Sequence, residues 1–313
     1  MSRIWPWLRL VGAVAILGAL AWRLGADAFV AGLRAVDGRA VAAAVGLGLL
    51  TTVTSAWRWC LVARRLGLPL TLGTAVADYY RGLLLNAVLP AGVLGDVHRA
   101  VSHGRQSGDV GRGVRAVVFE RGAGQAVLVA VGVVVLSCGS VPVGVPGWVL
   151  PAAVVTAVVA VAVAAGSAKV RRAVRTTWSD ARTALVNREV LPKVVLLSAA
   201  TLAGHVALFV VAARAAGTDA PIARLVAPAV LALLVMVVPL NVGGFGPREA
   251  FLAVAFGEAG LGAAQGLTTG VVYGVLAMVA GLPGVAVLFR SEQRQVAPER
   301  LDQGREHVPA LVG

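Results

Sequence analysis

The chain has 313 residues, 58% of them hydrophobic and 14% charged, with a mean hydropathy of +0.83. Soluble globular chains run closer to about half apolar and about a quarter charged, so a soluble enzyme, a disordered chain and a collagenous chain are all excluded. The net charge of +13 comes from 28 basic against 15 acidic residues, but no basic block stands apart from the apolar runs and only 5% of residues are aromatic; the charge fits cytoplasmic loops and anionic lipid headgroups rather than nucleic acid.

A spanning helix needs about 20 mostly apolar residues. The runs here predict an all-α, polytopic integral membrane protein, with a transmembrane domain over 1–292 and a polar, disordered cytoplasmic tail over 293–313. Six full spans fall near 8–24, 40–57, 116–138, 148–167, 194–213 and 266–289, with two interrupted segments near 72–95 and 224–257. The first run, behind Arg3 and Arg9, resembles a secretory signal with Ala26-Asp27-Ala28 as its cleavage site. Trp22 and Arg23 fit such a site poorly, and the topology needs this helix, so it is read as a retained span.

The first interrupted segment leads in through Asp78 to Arg81, an i,i+3 pair that neutralises itself. It continues as Asn86-Ala87-Val88-Leu89-Pro90-Ala91-Gly92-Val93-Leu94-Gly95-Asp96-Val97-His98-Arg99. Pro90 ends a helix, Gly92 and Gly95 permit turns closed to other residues, and exposed amides there can hold an anion. Asp96 suits the cap of the next helix, with Arg99 one turn on. The blander reading is a capped cytoplasmic loop with an interfacial arginine.

Glu120 and Arg121 open the next span. Neighbours on a helix do not face each other, so they are expected to reach different partners; the alternative is an interfacial pair with Arg121 snorkelling. Residues 169–193 place Val170, Val174, Trp178, Ala181 and Leu185 at helical spacing among Lys169, Arg171, Arg172, Arg175 and Arg182, which reads as a basic amphipathic helix on an anionic leaflet. His205 is expected to be a buried, hydrogen-bonded histidine rather than a proton relay.

The second interrupted segment is Pro239-Leu240-Asn241-Val242-Gly243-Gly244-Phe245-Gly246-Pro247-Arg248-Glu249. Pro247 suits the first turn of a following helix. Glu249 complements the helix dipole there, whereas Arg248 opposes it and calls for a carboxylate or phosphate partner. The alternative is a tight hairpin with a solvent-facing charge pair. Charge at membrane depth is costly and usually functional.

If both interrupted segments re-enter on the side they left, the amino terminus, 58–71, 96–115, 168–193 and the carboxyl tail share the cytoplasmic side. That side then carries 20 of the 28 basic residues and the opposite side five, with Arg81, Arg121 and Arg248 in the membrane. The positive-inside rule favours this arrangement. Halves 1–140 and 141–292 then read as an inverted-topology repeat, common among secondary transporters.

Cys60 and Cys138 fall at opposite faces and should not pair. His98, His103 and His307 form no ligand cluster, so no metal and no cofactor is expected. No phosphate-binding loop or nucleophile elbow is present. An intramembrane enzyme with Glu120 or Asp96 as base therefore ranks last, and the chain is read as a non-enzyme.

At these motifs the sequence resembles the transmembrane region of lysylphosphatidylglycerol synthase, also called the flippase-like domain family. The family's Asn, Leu-Pro-Gly-Gly, Gly-Gly-Asp and Arg read here as Asn86, Leu89-Pro90-Ala91-Gly92, Leu94-Gly95-Asp96 and Arg99. Its Glu-Arg matches Glu120-Arg121, and its late Pro-x-x-x-Gly-Gly-x-Gly-x-Arg-Glu matches Pro239, Gly243-Gly244, Gly246 and Arg248-Glu249. Ala91 and Leu94 replace usual glycines, and Asn241 stands where a small hydroxyl residue is common. The resemblance covers roughly residues 8–290. It implies a bacterial cell-membrane lipid flippase, similar to the flippase half without the synthase. The implied cargo is a phospholipid, glycolipid or polyprenyl-linked lipid with an anionic or phosphate-bearing headgroup. The rival reading is a non-transporting accessory subunit that docks a glycosyltransferase or lipid synthase.

Overall fold

The computed structural model describes residues 34–88, 94–138, 188–236 and 247–284, together with residues 30, 32, 179–182 and 184–185. The predicted spans near 8–24 and 148–167, most of the 169–193 segment, the turns of both interrupted segments and the carboxyl tail lie outside these residues.

Helix α1 (Gly38–Arg65) starts where Asp37, in extended conformation, accepts a hydrogen bond from Ala40 N at 2.7 Å. That bond satisfies one of the amides left open at a helix start. Arg64 and Arg65 occupy the last turn, where positive charge suits the dipole. Among the described residues the further helices are α2 (Leu72–Val88), α3 (Leu94–Gln106), α4 (Val110–Ser137), α5 (Leu191–Ala215), α6 (Ile222–Val235), α7 (Pro247–Glu258) and α8 (Ala263–Gly281), with helical residues also at 179–182 and 184–185. Of these, α1, α4, α5 and α8 are long and apolar enough to cross a membrane. The described residues contain no strand. The protein is thus an all-helical, polytopic membrane protein.

Two boundaries differ from the sequence reading. The span near 40–57 runs on for two further turns to Arg65, and α4 begins at Val110 rather than 116. Apolarity marks the stretch that crosses hydrocarbon, but hydrogen bonding carries a helix on until a turn stops it. At 28 residues α1 and α4 are each about 42 Å long, well over the roughly 30 Å hydrocarbon core.

Helix α2 does not continue into α3. Asn86 Oδ1 accepts a hydrogen bond from Gly95 N at 2.7 Å, and a Cβ placed on Gly95 would lie 2.0 Å from Gly82 O. An unbroken helix would separate residues 82 and 95 by about 20 Å. The chain therefore reverses, and the two arms touch backbone against backbone. Only glycine permits that approach.

The described helices form two quartets with matched geometry. Helices α1 and α5 end in the same turn: Gly67 N and Leu68 N bond Arg64 O and Ala63 O, while Gly217 N and Thr218 N bond Arg214 O and Ala213 O. The glycine φ angles there are 77° and 84°. Helices α3 and α7 share a second matched turn, at Gly108 (φ 75°) and Gly260 (φ 69°). Likewise α3 crosses α4 where Gly113 meets Ala100 O, and α7 crosses α8 where Gly266 meets Leu252 O.

The quartets join along α1 and α5, which run antiparallel. Thr51 meets Gly204, Thr54 bonds Thr201 (2.8 Å), Arg58 bonds Ser198 (3.0 Å) and Arg65 bonds Glu189 (3.0 Å). One apolar cluster surrounds Trp59, Tyr79 and Phe119. The other surrounds Phe209, Leu252, Phe256 and Tyr273.

Candidate functional site

Glu120 is fully buried on α4. Its Oε1 accepts from Arg58 Nε (3.0 Å), from a terminal nitrogen of Arg58 (2.5 Å) and from the Tyr79 hydroxyl (2.9 Å). Its Oε2 accepts from Arg99 at 2.8 Å. Arg121, the next residue, turns elsewhere and donates to Asp96 Oδ1 at 2.8 Å. Asp96 Oδ1 also accepts from Arg99 Nε at 2.9 Å. The one-residue rotation of about 100° on α4 gives the two different partners, Arg58, Tyr79 and Arg99 for Glu120 and Asp96 for Arg121.

Arg99 is 1% exposed and lies between two aromatic faces, 4.7 Å from the Trp59 ring centre and 4.3 Å from that of Tyr79. Cation–π contact of this kind is strongest where water is excluded. The network contains three guanidiniums, Arg58, Arg99 and Arg121, against two carboxylates, Asp96 and Glu120, so it keeps one positive charge. Asp78 and Arg81 sit nearby on α2 and pair with each other at 2.6 Å.

Arg248 and Glu249 form a second, separate centre at the start of α7. Both are buried, at 2% and 0% exposure. Arg248 Nε donates to Glu249 Oε1 at 2.9 Å, and a terminal nitrogen of Arg248 also binds that carboxylate and donates to Gly270 O at 3.0 Å. The guanidinium carbon stands 5.0 Å from the Tyr273 ring centre. The carboxylate partner expected for Arg248 is thus its own neighbour, and the pair does not face solvent. The Tyr273 hydroxyl approaches His205 Nδ1 at 3.4 Å, giving that histidine a polar partner.

A cavity of about 370 Å³ lies between the quartets, within the range of small-ligand sites. Its polar lining includes Thr51, Ser55, Arg58, Tyr79, Arg121, Gln125, Ser198, His205 and Tyr273. Leu83, Leu84, Leu128, Leu202, Leu233 and Met236 supply apolar wall. Of the described residues assigned to the site from sequence, Arg121 alone reaches this lining, joined there by His205, which the sequence marks as structural. The Arg121 side chain is 41% accessible, while Asp96 is 18% and Glu120 0%. Asp96, Arg99 and Glu120 stand behind it as support. Asn86 and Gly95 clasp the arms of the first reversal. Arg248 and Glu249 form their separate centre. Pro90, Gly92, Pro239, Asn241, Gly243, Gly244 and Gly246 lie outside the described residues.

Arg58 is the main residue that sequence reasoning missed. It had been counted with the cytoplasmic loop 58–71, whereas it is 4% exposed within α1 and bound to Glu120 and Ser198. A signal was available: Thr51, Ser55 and Arg58 recur at spacings of four and three, a polar stripe on an otherwise apolar helix. Cys60 is buried and Cys138 exposed, and both are free. The described residues hold no group of three or more metal-ligating side chains.

Long apolar helices closing over a charged, partly polar cavity define a membrane domain that can accommodate an amphiphile. The family described as "Lysylphosphatidylglycerol synthase TM region" matches residues 7–284, and the chain belongs to it. Membership gives the protein a membrane, lipid-related role. Comparison with curated proteins and with solved structures finds no match.

Proposed function

We propose that this protein moves a lipid with a phosphate-bearing headgroup between leaflets of the bacterial cytoplasmic membrane. The observation that carries the reading is the cavity between the quartets, which presents Arg58 and Arg121 to its interior and continues into leucine-rich wall. A headgroup phosphate would meet the guanidiniums, and the chains would lie along the apolar side. The antiparallel seam of α1 and α5 suits a protein whose halves are inverted copies, in which rocking of one against the other exposes a central site alternately. In this reading the interrupted segments re-enter from opposite surfaces, both termini face the cytoplasm, and the chain has no catalytic role of its own.

Reconstitution tests it. Purified protein in liposomes should speed translocation of a fluorescent phospholipid, read by dithionite quenching. Arg121→Gln should lose that activity with normal expression. Translocation no faster than in protein-free liposomes would refute the proposal. A stoichiometric synthase or glycosyltransferase purified with such an inactive chain would assign it as a docking subunit instead.

A further inference from the structure

We infer that the cavity selects a singly charged phosphodiester whose headgroup is otherwise uncharged and rich in hydroxyls. The inference rests on the transport reading above and narrows its substrate class. Among the described residues, the cavity lining contains two arginines and no Asp or Glu. Asp96 and Glu120, the carboxylates bonded to those arginines, are spent on Arg58, Arg99 and Arg121. That network has one uncompensated positive charge, which a single phosphodiester anion neutralises. A second negative charge would go unmatched, and a cationic headgroup would sit beside guanidiniums with no counter-charge. Like charges at short range in a water-poor site repel strongly.

The same wall is equipped for a monoanion and for hydroxyls. Arg121 Nε is buried with no hydrogen-bond partner, a donor ready for a phosphate oxygen. Gln125 Oε1, one turn further along α4, is buried and equally unmatched, and as an acceptor it calls for a donor on the ligand. Thr51 donates to Gly48 O at 3.1 Å, which leaves its oxygen free to accept as well. An ammonium would satisfy such acceptors but not the neighbouring cations. A hydroxyl satisfies both.

Calorimetry in detergent, with dioctanoyl lipids as probes, tests this without reference to transport. Phosphatidylglycerol should bind, and lysyl-phosphatidylglycerol, phosphatidylcholine and phosphatidic acid should each bind about tenfold more weakly or worse, the effect of one charge-assisted bond. Arg121→Gln should remove the preference. Gln125→Leu leaves the charges in place and should level phosphatidylglycerol with phosphatidylmethanol, which has no hydroxyl. Lysyl-phosphatidylglycerol binding as tightly as phosphatidylglycerol, or a ranking unchanged in both variants, would overturn the inference. Deacylated glycerophosphoglycerol distinguishes the sources of the phosphodiester. If it binds as tightly as the lipid, the selectivity stands and the lipid-transport reading falls.

Discussion

Replacing Glu120 by glutamine preserves shape and removes one charge. In the native protein that carboxylate, 0% exposed, receives Arg58 twice, Arg99 once and the Tyr79 hydroxyl. After substitution three guanidiniums share Asp96 alone. Breaking a buried ion pair by removing one partner costs about 3–5 kcal/mol, because the remaining charge stays buried and uncompensated. Glu120→Gln should therefore lose about that much in reversible SDS titration from mixed micelles, followed by tryptophan fluorescence. Glu189→Gln is the control: it removes a carboxylate from an arginine pair at the same kind of distance, but Glu189 is 78% exposed, and the loss should stay below about 1 kcal/mol. Adding Arg58→Met to Glu120→Gln restores a net single positive charge and should recover about half of the loss, a non-additivity expected of residues in one network. A Glu120→Gln protein within about 1 kcal/mol of wild type, or strict additivity in the double variant, would refute the assignment of Glu120 as the hub.

Gly95→Ala should prevent the α2–α3 reversal from closing, because its Cβ would stand 2.0 Å from Gly82 O; Gly82→Ala, whose Cβ meets Gly95 O at 3.4 Å, should be far milder, and folded yield by size-exclusion chromatography compares them. Gly266→Ala should fail in the same way against Leu252 O at 2.1 Å, while Gly122→Ala, with open space around it, should be neutral or stabilising by up to about 1 kcal/mol from helix propensity. Thermal unfolding of the two variants separates these outcomes. The site of Thr71→Cys, exposed just ahead of α2, falls on the proposed cytoplasmic side, whereas native Cys138 is exposed at the carboxyl end of α4, a 28-residue helix about 42 Å long, on the opposite side. An impermeant maleimide should label Cys138 on intact cells and position 71 only after permeabilisation, with buried Cys60 silent. Labelling of both from one side would refute the proposed orientation.

The fold class was legible because apolar runs of spanning length have few other uses. The split of Glu120 from Arg121 was legible too, since helix geometry forbids neighbours from sharing a target. The identity of their partners was not. Arg58 lies 62 residues from Glu120 in the chain, and ending the span at Trp57 hid it, because a hydropathy criterion stops at the first charge whereas a helix does not. Arg248 was expected to seek a carboxylate or phosphate, but which one was not legible: its long side chain curls back onto the adjacent Glu249 and onto Gly270 O beside the Tyr273 ring.

The close crossings differ in kind, and that difference governs where the molecule can give. Within each quartet, glycine lets carbonyl meet main chain, at Gly95 on Gly82, Gly113 on Ala100 and Gly266 on Leu252. Between quartets, the α1–α5 and α4–α6 crossings meet side-chain ends first, the Thr51 methyl at Gly204 and Leu234 at Gly132, whereas Gly48 against Ala280 and Gly284 against Tyr80 O also bring main chain close. Main chain wedged on main chain has no rotamer to exchange, whereas leucine and threonine tips do. Each half should accordingly behave as a stiff block, with the give between them concentrated where α5 meets α1 and α6 meets α4, and a firmer pivot where α8 lies against α1 and α2.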